Sequence, residues 1–149
     1  MNFVDAVRST PEIANGLKAG LQALGANSNK VKGYVPRDLK GSVDIDTCLK
    51  YLYPNDPRWD YVFGYKNNIY YVEVHQGKIS EVESVIAKFN WLRRWCQGTK
   101  LEDLKDRSTY HWVSTKGTDT IRKGSRHRRR LDQNGIHGPS SGLRPDTIP

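Results

Sequence analysis

Apolar residues recur along the chain at two spacings, one helical and one extended, and these sort it into elements. Thr10-Pro11-Glu12 predicts a helix start: a hydroxyl N-cap, proline at the first helical position, and an acid near the positive dipole end. Ile13, Leu17, Leu21 and Leu24 then share one face, and Gly25 closes the helix. Residues 26–42, with Gly33, Pro36 and Gly41, read as a loop. From Ser42 to Leu49, Val43, Ile45, Thr47 and Leu49 alternate with Asp44, Asp46 and Cys48, which predicts a half-buried strand.

Two β-rich runs, Asp60 to Lys66 and Ile69 to His75, flank Asn67-Asn68 and predict a hairpin turning on those asparagines. Lys66 then faces Ile69, Asp60 lies opposite His75, and Val62 lies opposite Glu73. That register gathers Asp60, Glu73 and His75 on one face. Phe63, Val72 and Val74 fall on the other, an aromatic and apolar wall expected to pack against a helix. Ser80 with Glu83 has the form of a capping box. Val82, Val85, Ile86, Phe89, Leu92 and Cys96 form the buried stripe of the helix that follows, ended by Gly98. Lys88 and Glu81 lie on the margin of that stripe, where a long side chain can reach the sheet. Residues 99–107 read as a charged loop or short helical turn, and Thr109 to Thr115 as a further strand.

Charge adds a partner class. The net charge is +8 over 149 residues. Residues 1–120 hold 17 Lys/Arg against 14 Asp/Glu, whereas residues 121–149 hold 7 against 2. Arg122, Lys123, Arg126, Arg128, Arg129 and Arg130 form a basic run suited to phosphate contact, since arginine offers bidentate geometry. With the Gly138-Pro139-Ser140-Ser141-Gly142 segment beyond it, the composition predicts an α/β domain over 1–120 and a basic, partly flexible tail over 121–149. The alternative for the run is a solvated, disordered tail that keeps the protein soluble. No apolar run approaches the ~18–20 residues a membrane helix needs, and no secretory leader pattern opens the chain. Cys48 and Cys96 have neither CxxC nor zinc spacing, so they read as buried free thiols of a cytoplasmic protein.

The predicted order of helix, strand, hairpin, helix and strand, with Asp60 opening the second strand and Glu73-Val74-His75 late in the third, resembles the PD-(D/E)xK nuclease superfamily. The segment from Trp59 to Trp95, WDYVFGYKNNIYYVEVHQGKISEVESVIAKFNWLRRW, also looks like a group of uncharacterised prokaryotic proteins with a WDY…VEVH…K..WL pattern. The resemblance implies an αβββαβ restriction-endonuclease-like core with a mixed sheet, covering roughly residues 10–116. It further implies Mg²⁺ or Mn²⁺ at Asp60 and Glu73, with Glu12 an additional acidic ligand and the Val74 carbonyl a further oxygen. Trp59 stands where the family has proline, and His75 where it has the motif lysine. His75 is therefore the candidate general base, or a hydrogen-bond donor to phosphate when protonated. Lys88 is the candidate migrated lysine, with Lys78 a second choice, and Asp44 and Asp46 are rival acids.

These expectations give a metal-dependent nuclease acting on DNA or RNA phosphodiesters. The alternative is a non-catalytic nuclease-fold protein that binds nucleic acid or a protein partner, a homodimer included, in a defence or mobile-element system.

Overall fold

The first long strand ends earlier than its alternation predicts. β1 spans Leu39–Asp44, and there the Asp44 carboxylate turns back to accept from the Thr47 amide and hydroxyl, both at 2.9 Å. It thereby caps a short helix, α3, Ile45–Leu49, in place of the second half of the expected strand. The N-terminal helix is corrected in the same way. α1 spans Phe3–Arg8 and α2 only Pro11–Ala14, after which the chain turns to form a bridge, Lys18 with Ser42. Leu21 and Leu24 are buried, but from a 3₁₀ segment, Gln22–Lys30, that bends at Gly25 (φ 54°). An Ile/Leu repeat that suggests one helix face thus serves two separate surfaces.

The computed structural model describes residues 1–115 and 120–147, organised on a five-stranded mixed sheet in the order β1-β2-β3-β4-β5. β2 is Tyr61–Tyr65, β3 Asn68–His75, β4 Ser108–Ser114 and β5 Ile136–Ser140. β1, β2 and β3 pair antiparallel in sequence, while β3–β4 and β4–β5 are parallel. The parallel pairs are bridged by α4, Val82–Gln97, and α5, Arg126–Gln133.

The β2–β3 turn is Lys66-Asn67, not Asn67-Asn68. Tyr65 faces Asn68, and Lys66 takes the left-handed backbone (φ 53°) that a two-residue hairpin turn asks of its first central residue. The slip along β3 is two residues, so every side chain keeps its expected face. Its partners change: Val62 lies opposite Tyr71, and Tyr61 opposite Val72.

The helix packs on the opposite face from the one expected. Val62, Ile69, Tyr71 and Trp112 lie against Val85, Phe89 and Leu92 of α4, together with Phe3 and Val7 of α1. Phe63, Tyr65, Tyr70, Val72 and Val113 form the second core, covered by Leu21, Leu24, Val31 and Leu143 from irregular segments. Both faces are therefore buried, and the acids lie on the helix-covered one. Gly64 lets α1 approach closely, since a Cβ there would lie 2.7 Å from the Phe3 ring.

Residues 126–140 are not a flexible tail. Ser125 caps α5 by accepting from the Arg128 amide at 3.1 Å, Leu131 is buried in the first core, and β5 extends the sheet beside β4. The capping box before α4 does not form either: no side chain caps that helix, and Glu83 pairs with Arg130. The rest of the α4 stripe is buried as expected, with Trp91 and Trp95 added. Both cysteines are free thiols, Cys96 buried and Cys48 only half-buried. Among the described residues no helix is long and apolar enough to cross a membrane.

Candidate functional site

Strand register and one helix margin build the site. Asp60 precedes β2 and lies beside Glu73 of β3, because the hairpin pairs Tyr61 with Val72. The pairing is reciprocal. The Asp60 amide donates to Glu73 Oε1 at 3.2 Å, and the Val74 amide donates to Asp60 Oδ2 at 3.0 Å. The Asp60 carbonyl also accepts from the Ile45 and Asp46 amides at 2.8 and 3.3 Å, tying the site to the start of α3.

From the other side α4 delivers Lys88, whose Nζ donates to Glu73 Oε2 at 2.6 Å. His75, two residues on and so on the same face, places Nδ1 3.4 Å from Glu73 Oε2 and Nε2 3.4 Å from Glu81 Oε1. Its carbonyl accepts from the Trp112 indole at 3.2 Å, which fixes the strand end beneath the ring.

The electrostatics follow from burial. Glu73 is fully buried and held between an amide, an ammonium and an imidazole. Burial is the main cause that lifts the Asp60 carboxyl to a pKa of about 7; the Glu73 charge adds to it, while Lys88 and the Val74 amide oppose it. Burial pulls Lys88 down, yet the charge and hydrogen bond of Glu73, with Asp60 behind, carry it above the ordinary lysine value. His75 is raised chiefly by its interaction with Glu73, against the opposite pull of burial.

Asp60, Glu73, His75 and Lys88 thus converge, and Glu12 does not. Its carboxylate accepts from the Tyr53 hydroxyl at 2.6 Å and the Trp95 indole at 3.1 Å, in a separate cleft of about 800 Å³. Trp95 is seven residues beyond Lys88 on α4, or about 10 Å along the axis. The rival acids are occupied as well, Asp44 as the α3 cap and Asp46 with Arg58 at 2.9 Å. Lys78 stands at the start of the 3₁₀ turn Ile79–Glu81.

The basic run divides. Arg130 pairs with Glu83, and Arg129 donates to the Gly124 carbonyl at 2.8 Å. Arg126 lies with those two on one flank, while Lys123 and Arg128 line a different cleft. Arg122 precedes the turn into α5. Glu81 and the cleft partners His137 and Arg144 escape sequence reasoning as site residues. Helical phase marks the margin position of Glu81, but nothing local links residues 123, 137 and 144.

Comparison with protein-family models, curated proteins and solved structures finds no match. Among the described residues no cluster of three or more His, Cys, Asp or Glu side chains is arranged to hold a metal ion. Any ion would rest on Asp60 and Glu73. Adjacent carboxylates, with the Glu73 charge opposing ionisation of Asp60, suit a hard divalent ion, which commonly takes one or two protein carboxylates and completes its shell with water or phosphate oxygens.

Proposed function

We propose that the protein is a metal-dependent nuclease in which Asp60 and Glu73 hold Mg²⁺ or Mn²⁺ at the edge of a restriction-endonuclease-like core. One observation carries this reading: a fully buried glutamate bonded to a lysine, beside an aspartate that holds its proton up to about pH 7. Buried charges cost several kcal/mol even after relaxation, and apolar side chains of similar volume usually stabilise a core as well or better. Strongly perturbed ionisable groups cluster at functional sites, as they do in some structural ion-pair networks.

The element order also supports it. A helical N-terminus, three antiparallel strands with the short α3 inserted between the first two, a helix and a parallel strand follow the order αβββαβ, with α5 and β5 appended. Lys88 meets Glu73 from the helix, as expected of a lysine that has left the strand position now held by His75. A bound ion would supply Lewis-acid charge and lower the pKa of its water. Lys88 would then place a positive charge where phosphoryl oxygens gain negative charge. Both ring nitrogens of His75 face carboxylates, and an imidazole so placed is suited to carry a proton to or from the reacting group.

A second reading has its own support. Lys88 already gives Glu73 a cationic neighbour, and His75 a second when protonated, so the charge is compensated without an ion. On that reading the fold binds nucleic acid or a protein partner without cleaving.

Melting curves with Mg²⁺ and Mn²⁺ separate the two. The nuclease raises its Tm with either ion, by about 2.7 kcal/mol equivalent at a hundred times Kd, and cleaves DNA or RNA. Glu73→Gln and Asp60→Asn remove both effects while affinity for an oligonucleotide in EDTA stays equal or rises slightly. No response to either ion assigns the protein to the binder.

A further inference from the structure

α5 reads RHRRRLDQ, and its one apolar residue, Leu131, is buried in the first core. At 3.6 residues per turn, Arg126, Arg129, Arg130 and Gln133 fall within an arc of about 100° on the opposite side, and all four are exposed. Asp132, the only acid of the helix, falls outside that arc. With Glu83 and His127 the four line a cleft of about 540 Å³. From first to last the stripe runs seven residues, about 10 Å.

The helix carries this charge against its own dipole. α1, α2, α3 and α4 each hold an acid in the first turn, whereas α5 opens with Arg126-His127-Arg128-Arg129 and holds none there. Cations at the positive end of a helix dipole are disfavoured, and a phosphate placed there is favoured. A carboxylate already shows how an oxyanion sits on the stripe: Glu83 of α4 accepts from both Nη atoms of Arg130. A guanidinium fork takes two phosphate oxygens in the same way. That pair is open to water, with 74% of the Glu83 side chain exposed, and exposed ion pairs hold weakly. Arg129 uses one N–H on the Gly124 carbonyl at 2.8 Å, and a guanidinium has five to give.

The stripe belongs to the sheet face that carries Asp60 and Glu73. Leu131 and Ile136 share the first core with Val85 and Leu92 of α4 and with Tyr71, two residues before Glu73 on the same side of β3. The start of α4 touches both places. Glu81, just before it, stands 3.4 Å from His75 Nε2, and Glu83, in its first turn, pairs with Arg130.

Chemistry selects the occupant. Arginine forks and a glutamine amide suit phosphate oxygens. A membrane surface takes up a helix by its apolar face, and the one apolar side chain of α5 is buried. A single strand is held through aromatic platforms for its bases, and α5 has no Phe, Tyr or Trp. A duplex needs neither. It presents one charge per about 1.7 Å of axis, so several phosphates fall within the length of the stripe.

We propose that Arg126, Arg129, Arg130 and Gln133 form a docking surface for the phosphate backbone of a nucleic-acid duplex, and that phosphate displaces Glu83 from Arg130 as the duplex seats. This rests on the reading of the protein as one that acts on or binds nucleic acid. It assigns the contact to one face of one helix and leaves out Arg128, whose guanidinium donates to the Pro139 carbonyl.

The test is binding of a DNA duplex of about 20 base pairs in EDTA, titrated from about 50 to 200 mM salt, so that cleavage plays no part. Arg126→Ala with Arg129→Ala should lower the log–log salt slope by about 1.8, the loss of two contacts at about 0.9 each. Lys18→Ala with Lys40→Ala removes the same charge from exposed positions at the β1 edge of the sheet, and should leave the slope in place. Glu83→Gln should tighten binding several-fold at low salt, and adding Arg130→Ala should abolish that gain. Melting curves confirm that each variant is folded, and Arg126→Ala alone, with a fall of about 0.9, suffices should Arg129→Ala unfold. An unchanged slope in the α5 variants, or an equal fall from the Lys18 and Lys40 pair, overturns the surface. A single strand of the same length bound as tightly overturns the duplex as its occupant, and so does binding to phosphatidylserine vesicles but not to the duplex. No gain from Glu83→Gln overturns the exchange at Arg130. A wild type that binds as expected but does not cleave with Mg²⁺ or Mn²⁺ defeats the nuclease reading alone. One that cleaves while the α5 variants bind unchanged defeats this surface alone.

Discussion

Replacing Lys88 by methionine tests the heart of the site. The substitution keeps the length and apolar stem of the side chain while removing the ammonium that sits 2.6 Å from Glu73 Oε2. Glu73 is fully buried, whereas 22% of the Lys88 side chain is accessible. Breaking a buried ion pair by removing one partner costs about 3–5 kcal/mol, because the remaining charge is left uncompensated. Two features pull the figure to the low end: water reaches Lys88, and His75 Nδ1 stands 3.4 Å from the same oxygen. We take about 3 kcal/mol. For a chain of this size about 2–4 °C of Tm accompanies each kcal/mol, so Lys88→Met should melt about 6–12 °C below the wild type at pH 7. Glu73→Gln should be milder, since the lysine it leaves can turn to water. The double variant should recover at least about 1.5 kcal/mol of the summed losses, the coupling of a true contact pair. Calorimetry of the four proteins closes the cycle. A Lys88→Met loss below about 1 kcal/mol, with additive behaviour in the double variant, would show that the pair is screened and that burial of Glu73 is not what makes this site special.

The pH dependence of stability follows from Asp60 and His75. Folded Asp60 holds its proton up to about pH 7, whereas the unfolded chain releases it near pH 4, so folding binds more protons across that window and stability falls as pH rises. His75, raised above its ordinary value, adds stability below about pH 6.5 that is lost as pH passes through its folded pKa. Urea titrations from pH 4 to 8 should therefore show a downward contribution, up to about 1.4 kcal/mol per pH unit, that Asp60→Asn removes between pH 4 and 7; superimposable profiles would contradict this. Gly64→Ala should cost about 1–3 kcal/mol by driving a Cβ into the Phe3 ring, measurable as a lower urea midpoint with unchanged m-value. A chain ending at residue 120 should fail to yield a folded monomer, because it lacks Leu131, Ile136 and Leu143 from the two cores; a cooperative melt from that truncation would restore the view of the segment as a tail.

What could be read from the sequence was whatever depends on parity and phase. The faces of β2 and β3 survive a wrong turn because a two-residue slip preserves alternation, and Lys88 reaches Glu73 because helical phase places it at the stripe's edge. Details set by competing local bonds were not legible. Asp44 ends a strand pattern by capping α3, and Lys66 adopts the turn conformation that Asn67 and Asn68 seemed better suited to supply. Composition misled at residues 126–140, where a basic helix with one buried face residue, Leu131, and a Gly-Pro strand both look like solvent-exposed chain. The expected Glu12 ligand fails for want of any sequence signal about which cleft α2 faces.

The second core sets a condition on how the chain acquires its structure. Its aromatic face, Phe63, Tyr65, Tyr70 and Val72, is sealed by Leu143, whose amide and carbonyl bond to Lys30 and Lys32 across more than a hundred residues, while Tyr70 and Tyr65 reach Pro145 and Asp146. A hairpin that forms early by local contacts therefore lacks part of its cover, which Leu21, Leu24 and Val31 leave incomplete, until residues 143–146 have left the ribosome. Contacts of such long sequence separation slow the final closure, and the interval before it is when an open aromatic sheet surface is exposed to aggregation. Synthesis rate and chaperone supply should accordingly govern the soluble yield of this protein more strongly than its equilibrium stability does.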